Sequence, residues 1–381
     1  MQFGAKHRFA SEAPGSLLSR LRDDFEAMRE RHALVPDIIL ITGDLVEFGK
    51  PSEFKQFQRF AGALAESFDL PRRRLVMIPG NHDINRAACE AYFKDCEADE
   101  RAPRRPYWPK LRHYAAMFAE FYASEPDLTF TEEAPYTFFE YPELGVVVAG
   151  LNSTIADSHR DEDHYGLVGE QQLKHFADKL RGFKDQGYVR IAAVHHDPMN
   201  PESEPARREL KDIRRLLVPY TNLVVHGHIH EEQLNWLDNM VPVLGVGSAG
   251  VQAAQRPEEV PNQYQWLRMF AGRLEYGSRA YVPDQTRWVG DLRPDRAGEQ
   301  WWQSRAVAFE KVTTLTAAPG LVVNSPQAER ARAVDRYRKA LARQLRRRPL
   351  ICDMATYGED IGPDGAPKED RRFVGKFSLR F

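Results

Sequence analysis

Two rhythms of apolar residues alternate along the chain. In residues 16–31 the apolar positions Leu17, Leu18, Leu21, Phe25 and Met28 fall on one face at helical spacing, which predicts an amphipathic helix. Pro36 and Asp37 interrupt the pattern, and the run Ile38, Ile39, Leu40, Ile41, Thr42 follows. So short and continuous a run suits a strand buried on both faces, as parallel strands are. Helical spacing returns over residues 52–68, where Phe54, Phe57, Phe60, Leu64 and Phe68 recur every three or four positions. A second strand is predicted over 75–78, stopped by Pro79 and Gly80. Further strands are predicted over 145–150, 189–194, 222–225 and 241–246, with helical patterns over 169–181 and 206–217 between them. Strands alternating with helices predict an α/β sheet carrying helices on its faces.

Three stretches break this rhythm. Residues 90–131, rich in Arg, Pro and aromatic residues, read as a helical cap inserted between two strands. The polar loop 153–165 carries His159 and His164 among acidic residues. Beyond about residue 296 the α/β pattern ends; 328–348 reads as a basic helix with an apolar stripe of Val334, Tyr337 and Leu341, followed by a Gly/Pro/Asp-rich stretch. The predicted organisation is a catalytic domain over 1–295 and a C-terminal extension or connector over 296–381.

Composition narrows the class. In 381 residues, 42% hydrophobic and 28% charged content is that of an ordinary globular protein. A formal net charge of −2 excludes a basic protein that coats nucleic acid non-specifically. Cys89, Cys96 and Cys352 stand at no metal-ligand spacing, so neither a disulfide framework nor a structural zinc site is expected. No apolar run has membrane-spanning length and no secretory leader pattern opens the chain, which predicts a cytoplasmic protein without a membrane partner.

The polar residues that stand out lie just past the predicted strands, where open α/β sheets bind ligands. Gly43 and Asp44 follow one strand. Pro79, Gly80, Asn81, His82 and Asp83 follow another and deliver three polar side chains to one sheet edge. His195, His196 and Asp197 follow a third; alternation of side chains turns one histidine of the pair towards the cleft. After the fourth come His226, Gly227, His228, Ile229 and His230. Extended backbone there would point His228 and His230 the same way, with His226 still inside the strand in a core role. Taken singly, such residues can cap turns. Together they mix hard oxygen with imidazole nitrogen donors, which suits Mn, Fe, Zn or Ni ions better than Ca²⁺ or Mg²⁺ alone. An Asp able to bridge two cations ~3.5–4 Å apart would define a two-metal hydrolytic site.

In order and spacing these motifs resemble the calcineurin-like metallophosphoesterases over roughly the first 295 residues. Leu151-Asn152-Ser153, the stretch 166–173, Gly247-Ser248 and Pro261-Asn262-Gln263-Tyr264 add to the likeness. The resemblance implies a β-sandwich flanked by helices in four αββα layers, with a short helical or irregular C-terminal extension. It implies that Asp44 bridges two metal ions, that Asn81, His195 and His228 complete one site, and that His230 serves the other. His195 is preferred over His196 because it directly follows the apolar run. His82 would act on the transition state or the leaving oxygen, oriented by Asp83, and Arg86 could reach a substrate phosphate. The implied reaction is phosphoester hydrolysis by a metal-activated water, a phosphodiester such as a nucleotide or nucleic acid being favoured over a phosphomonoester.

One departure bears on activity. The family opens on a strand ending in Asp-x-His, an aromatic residue and a glycine. Phe3 and Gly4 match the end of that motif, whereas Gln2 stands at the His position and the Asp would precede Met1. A strand cut short is the expected explanation, since loss of a central strand would expose its neighbour's edge. Gln2 would then be a weak ligand of the second ion. The alternative is a degenerate phosphoesterase fold serving as a binding or regulatory module. The tail also faintly resembles connectors to fused or associated modules in bacterial signalling and defence proteins.

Overall fold

The run after Pro36 folds as β1, Ile39–Ile41, and pairs in parallel with β2, Leu75–Met77, in the register Ile39 to Leu75 through Ile41 to Met77. A computed structural model describes residues 2–4, 16–270, 273–293, 301–306, 351–353 and 378–380. The chain divides into two units, Met1–Thr313 and Thr314–Phe381. In the second, the described residues form one antiparallel pair, Ile351–Asp353 with Ser378–Arg380. The basic helix predicted over 328–348 and the Gly/Pro/Asp-rich stretch after it lie outside the described residues.

In the first unit, α1, Ser16–His32, and α2, Pro51–Ser67, bracket β1, and α3, Arg86–Ala98, and α4, Arg112–Phe121, follow β2. A six-stranded sheet comes next. Its strands are β3, Thr137–Tyr141; β4, Val146–Gly150; β5, Val189–Val194; β6, Leu223–His226; β7, Gln233–Leu237; and β8, Val241–Gly245. The spatial order is β3-β4-β5-β6-β8-β7, parallel from β4 to β8 with an antiparallel strand on each edge. The crossover after β4 carries α5, Glu170–Asp185, and the one after β5 carries α6, Glu204–Leu216. Predicted helices and strands thus recur close to their expected limits, the helix predicted to end at Arg181 continuing to Asp185.

The strands of a further sheet were not predicted from the apolar pattern, though the resemblance implied a second sheet layer. In it β10, Arg273–Val282, pairs antiparallel with β9, Gln263–Phe270, on one edge; β11, Arg287–Gly290, and β12, Trp302–Ala306, share the other. One continuous core lies between the sheets: Ile41 and Met77 meet Val148, Ile191, Val225 and Leu244, with Leu274 and Tyr276 of β10. Helices cover the outside. Leu17 and Leu21 of α1 and Phe60 and Leu64 of α2 pack with Tyr281 and Trp288, while Phe176 of α5 lies 6.2 Å, ring to ring, from Phe138 of β3. The architecture is two sheet layers flanked by helices, as expected.

The aromatic residues of the inserted stretch are core. Tyr114, Phe118 and Phe121 are buried on α4, and the Tyr114 hydroxyl donates to the Met77 carbonyl at 3.2 Å. They anchor the insertion to β2, and burial of each ring contributes roughly 1.5–3 kcal/mol. No helix among the described residues is long and apolar enough to cross a membrane.

One buried ion pair ties α1 to the antiparallel sheet. Arg279 Nε donates to Asp24 Oδ2 at 2.8 Å, its Nη2 reaches Asp24 Oδ1, and the Tyr264 hydroxyl donates to the same carboxylate. Asp24→Ala strands a buried guanidinium, so chemical denaturation should show a loss of about 3 kcal/mol. Pairing it with Arg279→Met should recover most of that loss.

Candidate metal centre

Loop geometry at the strand ends follows from a few small residues. Past β1, Gly43 adopts φ +89°, and a Cβ there would lie 2.6 Å from His195 Nδ1 and 2.8 Å from the Gly80 nitrogen. Past β2, a Cβ on Gly80 would sit 2.4 Å from both the nitrogen and Oδ1 of Asp44. Only glycine lets these two turns and the His195 ring pack together. Asp83 fixes the second turn: its Oδ2 accepts the Gly80 N–H at 2.8 Å and its Oδ1 the Val46 N–H at 3.0 Å. Buried completely and beside Asp44, the Asp83 carboxyl is pushed up to about 8, first by desolvation and then by Asp44's charge. Burial would raise Asp44 too, but the positive charge of the surrounding His195, His82 and His230 rings in their protonated forms shifts it below the usual carboxylate range, and the His82 N–H and Gln2 amide donate to its two oxygens. The two buried acids are thus shifted in opposite directions, Asp44 down and Asp83 up.

His195 gives the clearest indication of what the site takes. Its Nδ1 lies 2.7 Å from the Thr42 carbonyl, which can only accept, so the neutral ring carries its proton there. The bare Nε2 then faces Asn81 Oδ1 at 2.9 Å and Asp44 Oδ1 at 3.2 Å. Burial pushes this histidine down to about 4, so at neutral pH no second ring proton bridges the three atoms. Three lone pairs from Asp44, Asn81 and His195 converge with no proton to share. A cation answers that arrangement, and the mixed oxygen and nitrogen set suits a transition metal or zinc. Among the described residues, no three His, Cys, Asp or Glu side chains already stand at ligating positions together; Asn81 is what completes the converging set.

The other predicted donors surround this group. His230 Nε2 is 4.0 Å from Asp44 Oδ2, and its Nδ1 donates to the Gln255 carbonyl at 2.6 Å. The His228 ring lies 5.3 Å from that of His195, with Nε2 3.4 Å from Glu202 Oε1. Burial alone would lower His228, but the bond from Glu202 and the charge of Asp44 raise it. Gln2 is buried against the site: residues 2–4 lie parallel to the chain after Asp44, with Phe3 bridged to Val46. Its Nε2 donates to Asp44 Oδ2 at 3.2 Å, and its Oε1 is buried without a hydrogen bond.

Two expectations are corrected. The backbone at His228 and His230 is not extended: β6 ends at His226, and both residues have positive φ, 68° and 57°. A turn, rather than strand alternation, sets where the two rings lie, because Gly227 packs its Cα face against Thr42 and stops the strand. Nor does Asp83 orient His82. The His82 Nδ1 donates to the Glu47 carbonyl at 2.9 Å, and its backbone N–H donates to Asp44 Oδ1 at 3.1 Å. Asp83 is occupied with the turn's amides instead.

The remaining candidates have separate surroundings. His196 is buried, with Nδ1 2.8 Å from Ser153 Oγ and its ring 4.7 Å from that of His228. His226 is buried within β6, with Nε2 3.6 Å from Asp197 Oδ1. The guanidinium of Arg86 is engaged by the loop 153–165: it pairs with Asp157 Oδ1 at 2.9 Å and also meets the Ser158 carbonyl and His164 Nε2. The fully buried Lys110 pins the same loop, donating to the Thr154 carbonyl at 2.6 Å. Sequence pattern gave no sign of Glu202 or of the Glu47 carbonyl, since neither belongs to a strand-end motif and a carbonyl leaves no residue signature.

The sequence profile of the calcineurin-like phosphoesterase family matches residues 15–232. A metallophosphoesterase-like protein of Bacillus subtilis (strain 168), YydB, which bears the description uncharacterized, is 21% identical over 228 residues, covering 57% of this chain and 45% of its own. The chain thus spans less than half the length of that curated relative. Among solved structures, a dimetal phosphatase from Danio rerio aligns at 12% identity with a TM-score of 0.41, covering 72% of this chain and 88% of its own. Phosphopantetheinyl hydrolase from Mycobacterium tuberculosis aligns at 16% identity with a TM-score of 0.33, covering 61% and 86%. On the extent of the profile match, the chain belongs to the calcineurin-like phosphoesterase family.

Proposed function

We propose that this member of the calcineurin-like phosphoesterase family hydrolyses phosphodiesters with two bound metal ions, and the observation that carries the reading is the proton-free convergence of Asp44, Asn81 and His195. Asp44 would bridge the ions; Asn81, His195 and His228 would complete one site, and His230, with Gln2, would serve the other. When bound, the ions would polarise a phosphoryl oxygen and make a hydroxide available at neutral pH. The chain's own residues do the rest. His195 is held in one tautomer by Thr42, and Asp44 is kept ionised. His82, fixed through Nδ1 by Glu47, presents Nε2 as the nitrogen for a leaving oxygen.

A diester is favoured over a monoester because the Arg86 guanidinium is already engaged by Asp157, leaving that cation unavailable to a second negative charge on the substrate. The two sites are proposed to be unequal. Gln2 donates an N–H to Asp44 Oδ2, the oxygen nearest His230, and an amide ligates less well than an imidazole. Dialysis against a chelator should abolish hydrolysis of a generic diester, and Mn²⁺ should restore it. Elemental analysis after desalting should then find one tightly held ion per chain, the second appearing only with excess metal. Two tightly held ions would refute the inequality, and activity unaffected by the chelator would refute the metal-dependent reading.

A further inference from the structure

Beside the metal centre, the loop after β5, the start of α6 and the turn after β6 enclose a cavity of about 150 Å³. His196 and His228 form its inner rim, and their rings lie 5.1 and 5.3 Å from that of His195. The cavity therefore opens directly beside the proposed ligand His195 and shares His228 with the centre. Val168, Val194, Pro198, Ala206 and Ile213 make its walls apolar.

Its Asp, Glu, Lys and Arg lining is all carboxylate, Asp197, Glu202 and Glu209, with no Lys or Arg among the described lining residues; the basic groups are the rim imidazoles His196 and His228, the latter already paired with Glu202. Two of the three are committed to the fold. Asp197 accepts the Met199 N–H at 2.7 Å and the Asn200 side-chain amide at 2.6 Å. Glu209 accepts the Val168 N–H at 2.8 Å and the Gly169 N–H. Glu202 differs. Its Oε1 meets His228 at 3.4 Å, its Oε2 makes no hydrogen bond among the described residues, and the side chain is half exposed at 50%. Arg86, the guanidinium that bears on His196, is held by Asp157 and cannot neutralise the cavity.

We propose that this cavity receives the second ester group of the substrate, and that this group is a short alkyl chain ending in an ammonium or similar cation. Calling the bound molecule a substrate rests on the hydrolase reading above; the charge preference of the cavity does not. A second phosphate or a carboxylate would meet three carboxylates and no Lys or Arg, the rim imidazole His228 being already paired with Glu202. A short alkyl chain matches the apolar walls, and an ammonium at its end meets Glu202. Selectivity arises as much from repulsion of the wrong charge as from attraction of the right one.

The test uses three p-nitrophenyl diesters that differ only in the second ester group: 2-aminoethyl, ethyl and carboxymethyl. Rates are measured on the full chain with Mn²⁺, and calorimetry follows binding of O-phosphoethanolamine, ethyl phosphate and phosphoglycolate. The aminoethyl ester should lead and the carboxymethyl ester trail, with kcat/KM roughly tenfold apart. Glu202→Gln should collapse that ratio, and Ile213→Lys should reverse it. A carboxymethyl ester turned over as well as the aminoethyl one, or a ratio untouched by both substitutions, overturns the proposal. If no ester is hydrolysed but phosphoethanolamine still outbinds phosphoglycolate in a Glu202-dependent way, the cavity's preference stands and the hydrolase reading falls. Turnover without discrimination leaves the hydrolase and removes the cavity assignment; absence of both turnover and selective binding removes both.

Discussion

Asp44→Asn is expected to lower kcat/KM for a phosphodiester by roughly 10³-fold, about 4 kcal/mol of transition-state stabilisation. The replacement keeps the shape of the side chain but turns one of two acceptor oxygens into an N–H₂ donor. Oδ1 lies 3.2 Å from the bare Nε2 of His195, and Oδ2 lies 3.2 Å from the Gln2 amide and 4.0 Å from His230. Whichever way the new amide turns, one face of the site is given a hydrogen-bond donor where a cation should sit. It also removes the negative charge that lies against His195 and His230. Metal content should fall together with the rate, while the circular dichroism spectrum and melting temperature of the metal-free protein stay close to wild type. His228→Ala should follow the same direction with a smaller loss of metal. Equal rates in wild type and both variants would place any hydrolysis elsewhere in the molecule.

How far the sequence revealed this depends on the element. Parallel strands β1, β2, β5 and β6 are legible because each is a short, largely apolar run in the sheet interior, and the polar residues just beyond mark the site. The antiparallel sheet after residue 262 is not. On β10, Ser278 and Arg279 are buried side by side, and on β9 the half-buried Arg268 falls among Leu267 and Met269. The period-2 signal fails there because Arg279 is neutralised by Asp24 from a helix 255 residues away in sequence. Within the site, the residue types were legible and their orientation was not. Extended backbone at His228 and His230 was a reasonable default that the packing of Gly227 on Thr42 overrides. The partner of His82 was hidden because it is a main-chain oxygen, whereas Asp83, the adjacent acid, looked the part and is used by the turn. Glu202 lies in a proline-rich loop whose approach to His228 depends on where α6 begins, a property of the fold rather than of the local sequence.

His82→Ala separates the chemistry of the leaving group from metal binding. Because its ring nitrogen Nδ1 is committed to the Glu47 carbonyl and its backbone N–H to Asp44, the ring is held in one orientation at the edge of the proposed ligand set. With the Nδ1 proton given to that carbonyl, Nε2 hands a proton to a departing alkoxide only from the doubly protonated ring, which returns to the neutral Nδ1–H form. Loss of a positioned general acid costs typically ~10²–10⁴-fold. That cost should depend on how much the leaving oxygen needs the proton. An alkyl diester, whose leaving alkoxide is strongly basic, should lose kcat towards the upper end of the range. A p-nitrophenyl ester, which departs as a stable anion, should lose little. Metal content should be unchanged in both assays, since the ring is not assigned as a ligand. If the two esters lose activity equally, the histidine stabilises charge on the phosphoryl group rather than donating a proton. If instead the bound metal is lost, His82 belongs to the ligand set and its pairing with Glu47 describes only the arrangement before an ion enters.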